Sequence, residues 1–247
     1  ATIIGDTVTN LISATSKTNA VSIGNSTGQN TIHGNQSVMI GSSVGLNIIT
    51  ASDATIIGYG AGVNATNALQ STIIGSFAGQ YTTTANGAVM IGSSAGNQTT
   101  TASNAVMIGT AVGLLATNAA NAVIVGNVAG FNATNAGNSV MLGLLAGYNA
   151  TNATTAVFIG AGAGLNATYG SSSVFIGEAA DAINSSTNVA ASVGIGRNAK
   201  VSGPYQMALG GTGADAVKVG IGTNNPQYQL QVVGQIYATG ITSSLFG

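Results

Sequence analysis

The residues able to do chemistry are few and far apart. The 247-residue chain holds one His, five Asp or Glu, four Lys or Arg and no Cys. General acid–base work needs two carboxylates that face each other across a cleft. Glycoside cleavage needs two acids at a set separation. Asp6, Asp53 and Asp215 are too isolated in sequence to form such a pair. His33 lies between Ile32 and Gly34, with no Asp nearby and no second His to share a metal ion. Without Cys there is neither a disulfide framework nor a thiolate site. Many Gly-containing strings resemble phosphate loops, but none is followed by Lys-Ser or Lys-Thr and none opens a helix. The expectation is a protein with no catalytic, cofactor or metal site.

The remaining charges are ordered. Arg197 and Lys200 repeat the spacing of Glu178 and Asp181 one turn of the chain later. If the two segments stack, each carboxylate gains a cation as neighbour. That predicts an ion-pair ladder instead of a catalytic dyad. Exposed pairs of this kind contribute less than about 1 kcal/mol each, so their value lies in register.

What must position these residues is a repeat. Every seventeenth residue from Gly24 to Gly177 is a glycine, each after a mostly apolar triplet such as Val89-Met90-Ile91 or Val106-Met107-Ile108. A second glycine follows four places later, from Gly28 to Gly164. Strict periodicity means a stack of equivalent turns. A turn of this length is too short for a helix pair and suits a parallel β-solenoid coil of two short strands and two turns. Paired glycines mark corners that need positive φ or close backbone approach. Coils about 4.8 Å apart make the ten registered turns a rod of roughly 50 Å. The period lengthens by two positions between Gly5 and Gly24 and again between Gly177 and Gly196. Residues 1–203 therefore read as the solenoid shaft. Residues 204–247 read as a C-terminal β module, with a turn at Asn224-Asn225-Pro226 and an alternating strand from Tyr228 to Val232.

Neighbouring side chains of a strand point to opposite faces. If the first and third residues of each triplet face the coil interior, the middle ones face out. That middle column is Met39, Ile56, Ile73, Met90, Met107, Ile124, Met141, Phe158 and Phe175. An exposed stripe of this kind on a monomer would be a large apolar patch, so another copy of the chain is expected to cover it. The column is then the axis of a homotrimer. In the inverse arrangement the column fills the coil and two apolar columns stay outside. Patch size favours the first arrangement.

The second arm of each turn carries columns of Thr (Thr66 to Thr168) and Ala (Ala51 to Ala153). A Thr column is a structural ladder, although a flat Thr face could also order water, as in ice-binding solenoids. The position after the second glycine varies, from Leu46 and Gln80 to Phe131 and Tyr148. Aromatics there and at Tyr59, Tyr81 and Tyr169 are candidate receptor contacts, since rings stack on sugars. The alternative is that they cover turn edges. Sequons such as Asn64-Ala65-Thr66, Asn132-Ala133-Thr134 and Asn166-Ala167-Thr168 arise from the repeat and read as turn chemistry.

Only 4% of residues are charged and the net charge is −1, which leaves no field to grip a phosphate backbone. Nucleic acid is not an expected partner. No apolar run reaches the roughly 18 residues of a membrane helix, and the start lacks the basic and apolar regions of a signal peptide. Because Ala1 is not Met and Ile3-Ile4-Gly5 already resembles a repeat, the chain reads as a fragment or a processed product.

Two families share these patterns. The Ser-Val-x-Ile-Gly and Ala-Val-x-Ile-Gly units of residues 20–200 resemble the head repeats of trimeric autotransporter adhesins, though this turn is longer. That resemblance implies three parallel β-rolls with apolar faces on a shared axis. The tail, Gly220-Ile221-Gly222-Thr223 through Pro226, Leu230, Val232, Gly234 and Ile236 to Ala238-Thr239-Gly240, resembles a segment of bacteriophage tail fibres. There it precedes a C-terminal intramolecular chaperone that trimerises the fibre and cuts itself off. By resemblance, the chain is expected to be an all-β, homotrimeric tail fibre of a virion that attaches to a host receptor, of glycan type. Other tail proteins would join it through a missing N-terminal part. The alternative is an adhesin head on a bacterial cell surface.

Overall fold

The computed structural model describes residues 2–4 and 18–237. Asp6 and the tail residues 238–240 lie outside the described residues. The chain is a parallel β-solenoid. Strand β1 (Thr2–Ile4) is followed by ten three-residue strands, from β2 (Val21–Ile23) to β11 (Val174–Ile176), each one repeat further along the chain. With β13 (Val193–Ile195) and β15 (Met207–Leu209) they form one 13-stranded parallel sheet. Register is kept throughout: Val89 pairs with Val106, Met90 with Met107 and Ile91 with Ile108. The long steps are accommodated in the same sheet, since Thr2 pairs with Val21 and Val174 with Val193.

The opposite wall is not a second strand. It is a column of single-residue parallel bridges, running from His33 and Thr50 through Asn67, Thr84 and Thr101 to Asn152. Corners explain why. After the first glycine, whose φ is 126–142° from Gly24 to Gly58, three further residues of a coil lie in the left-handed region. In the coil of Gly41 these are Ser43 (55°), Gly45 (63°) and Asn47 (60°), with Asp53 (59°) at the next corner. Such conformations come at least cost to Gly and Asn. Asn at the corners also gains hydrogen bonds along the stack: Asn30 Nδ2 donates to Asn47 Oδ1 and Asn47 Nδ2 to Asn64 Oδ1, both at 2.9 Å. The Asn64 and Asn132 sequons therefore sit in structural turns, as expected from the repeat.

The interior decides the orientation of the triplet. The middle column is inside: Ile56, Ile73, Met90, Met107, Ile124, Met141, Phe158 and Phe175 are fully buried, and Met39 keeps 2% of its surface. It therefore lies within one chain and is not an axis between chains, which corrects the expectation from patch size. Space is the reason. The other inward positions hold mostly Ala, Gly, Ser or Thr, such as Ala95, Gly96, Thr99, Ala102 and Ala105 in the coil after Met90. Coils lined this way are filled mainly by the middle side chain, with Val44, Ile48 and Val112 added where a coil allows it, so the outer Val and Ile of each triplet together would overfill the bore. The two glycine columns answer to different limits, the backbone of the next coil and the filler of the bore. A Cβ on Gly92 would run into the carbonyl of Gly109, and a Cβ on Gly96 would lie 2.5 Å from Met90 Sδ.

Buried hydroxyls find acceptors in the walls. Thr82 and Thr99 Oγ1 donate to the carbonyls of Gly96 and Gly113 at 2.9 Å, and Ser71 Oγ donates to that of Ala68 at 2.8 Å. The Ala column from Ala51 to Ala153 is fully buried, whereas Thr83, Thr100, Thr117 and Thr151 of the neighbouring column are exposed.

Candidate functional site

The inward turn of the Met column leaves its neighbours outside. Strands β2–β11 and β13 supply eleven triplets to the sheet. In ten of them the first residue is half-buried, and the third is half-buried or exposed in all eleven. Ile108, Val123, Ile176 and Ile195 keep 37–38% of their surface. The two columns are Val or Thr on one side and Ile, Val or Leu on the other, with no charged residue among them. Eleven rungs about 4.8 Å apart make a strip roughly 48 Å long and, with side chains, roughly 11 Å wide. Its area of roughly 500 Å² lies at the upper end of the patches that monomers expose. It approaches the area of about 800 Å² that each partner gives to a stable complex.

The candidate receptor aromatics are distributed over several faces. Phe131 and Tyr148 occupy the same position of consecutive coils and stack on each other, with ring centroids 5.1 Å apart and planes 9° from parallel. Both are half-buried, and each gives one ring face to the other. Tyr59 meets Phe77 edge-on at 5.2 Å, a partner that the repeat pattern did not single out. Tyr59, Tyr81 and Tyr169 keep 57%, 52% and 49% of their surfaces. They sit on three different positions of the coil, and Tyr169 forms a bridge with Asn188 on the wall opposite the sheet.

The stacked charges do meet. Arg197 Nε lies 3.6 Å from Glu178 Oε2, and Lys200 Nζ 3.8 Å from Asp181 Oδ2. The second pair follows from the pairing of β12 (Asp181–Ala182) with β14 (Lys200–Val201), in which Asp181 is opposite Lys200. Asp215, isolated in sequence, joins the first pair: its Oδ1 is 3.4 Å from Arg197 Nε, and Asn198 Nδ2 donates to its Oδ2 at 2.6 Å.

Asp181 differs from the other acids among the described residues because it is buried. It stands where other coils have the second glycine. Its carboxylate accepts the Asn166 N–H at 2.8 and 3.1 Å, the Asn166 Nδ2 at 2.8 Å and the Ala182 N–H at 2.8 Å. Burial pushes the carboxyl above its usual value of 3.8, against the opposing pull of these donors and Lys200. Asn166 has left the left-handed conformation that Asn149 and Asn132 keep at the same corner. An acid at a glycine position was the available signal for a special role, but burial was not visible in it.

His33 is exposed in the bridge wall, opposite Thr50. Among the described residues, no three His, Cys, Asp or Glu side chains are grouped so as to hold a metal ion. Among them also, no helix is long and apolar enough to cross a membrane. No protein-family model and no curated protein matches the chain.

Proposed function

We propose that this chain is the shaft of an elongated homotrimeric fibre of a bacteriophage virion, which carries contact surfaces to a host cell. The observation that carries this reading is the continuous, uncharged strip of Val, Ile, Thr and Leu along the sheet. An apolar strip of this length and shape suits a parallel copy of itself, since repeats of equal rise stay in step along the rod. Three chains with their strips on a common axis bury all three. Exposed Tyr59, Tyr81 and Tyr169 then remain on outer faces, available to stack on sugar rings. Three copies raise weak contacts to useful avidity. No catalytic step is assigned to it. The tail motif favours a fibre. The shaft repeats alone favour the second reading, an adhesin head on a bacterial surface.

Sedimentation of the purified chain tests the reading. A mass of three chains with an elongated frictional ratio is expected. A monomer at micromolar concentration would overturn it.

A further inference from the structure

Toward its C-terminal end the chain turns inside out. In register along the sheet, the inward residue passes from Phe175 to Gly194 to Ala208. The coil shortens with it: the step from Val193 to its partner Met207 is shorter than that from Val174 to Val193. The last parallel pair, β16 (Val219–Ile221) with β17 (Leu230–Val232), makes the shortest step, from Val219 to Leu230. As the interior closes, apolar side chains gather outside. Met207 keeps 63% of its surface, Leu230 62%, Val233 59% and Ile236 63%. Among residues 211–237 none is buried.

A two-stranded sheet is marginal in water even with a turn to close it, and among the described residues no core accompanies this one. Among the described residues each of its strands also has a free edge. We infer that Tyr205–Tyr237 is completed by the same segment of other copies, in a core that belongs to no single chain. This rests on the self-association proposed above and adds where the chains become interdependent.

Three observations select another copy as the occupant. The outer face is continuous: Val193 and Ile195 of the strip pair in register with Met207 and Leu209, so copies seated on the strip are already aligned with the tail. The exposed apolar surface begins where the private interior ends, as expected if three narrowing coils converge. The segment also carries only Asp215 and Lys218 as charges, and Asp215 is engaged by Arg197, which leaves little for a charged partner to recognise.

The absence of native cysteine allows a direct test on the full chain. Val233→Cys carries a nitroxide, with Tyr228→Cys as a second variant in case the first disturbs folding and Asn127→Cys, on an exposed corner of the shaft, as control. Expected is a spectrum at position 233 or 228 that is immobilised and broadened by spin–spin interaction. The broadening should be lost when labelled chains are refolded with a large excess of unlabelled ones, and Asn127→Cys should show none. A sharp spectrum would overturn the inference. So would immobilisation without broadening, which would assign the cover to the same chain. If sedimentation gives a trimer and broadening is absent, only this inference fails. If it gives a monomer, the self-association fails first.

Discussion

Met107 occupies the room that Gly113 leaves: a Cβ on Gly113 would sit 2.7 Å from the Met107 Sδ. Gly113 also holds φ at 60°. Gly113→Ala is therefore expected to destabilise the rod by about 1–3 kcal/mol through overpacking. Gly109→Ala is expected to do more damage, because its Cβ points at the Gly126 carbonyl and backbone cannot step aside as a thioether can. Thermal melts of the two variants give the order, and equal midpoints would contradict it.

Removing the filler is the complementary change. Met107→Ala leaves a cavity in a bore whose other walls are already small, at a cost of about 2–5 kcal/mol. Met107→Asp places an unpaired charge in the same space and is expected to melt the neighbouring coils within each chain. Amide exchange should show lost protection around positions 89–125 whatever the state of assembly.

The proposed assembly is expected to answer to the outer strip. Ile91→Asp with Ile108→Asp changes two side chains that already touch water. The coil should keep its far-ultraviolet spectrum, while the sedimenting mass falls toward that of one chain. A double variant that sediments as the parent does would remove the strip from the interface.

Asp181 sets a pH dependence with a definite sign. Its carboxyl is raised in the folded chain, so the folded state binds this proton more tightly than the unfolded one. The contribution to stability is complete below the ordinary value of 3.8 and is lost as pH rises through the folded value. The difference between the parent and Asp181→Asn isolates it from other acids. Denaturation midpoints measured across this range should fall with rising pH in the parent relative to the variant, and parallel curves would contradict the assignment.

Arg197 should matter little by comparison. Its side chain and that of Glu178 are about two-thirds exposed, so Arg197→Ala is expected to cost less than about 1 kcal/mol. Salt should shrink the effect further, as a chemical denaturation series at two ionic strengths would show.

Much of this was legible in the residues. The glycines at a fixed spacing announced the coil, its corners and the parallel register, and the longer step after Gly177 foretold Glu178 over Arg197 and Asp181 over Lys200. The facing of Val106, Met107 and Ile108 was not settled by alternation, which allows two solutions. Exposed area favoured the wrong one. The Ala and Gly columns held the answer, because residues that small mark the inner wall against which the middle side chains pack. The burial of Asp181 and the approach of Asp215 to Arg197 depend on how the longer, irregular turns fold back. No period describes those turns.

Each coil bonds only to the one above and the one below, with the same outline throughout the regular part of the shaft. Reach is thereby separated from cross-section. Adding or deleting one whole repeat would shift every distal surface by about 4.8 Å along the axis and leave the contacts of every other unit as they were. The rod behaves as a ruler whose graduations are counted in repeats, so its length can change without redesign of either end.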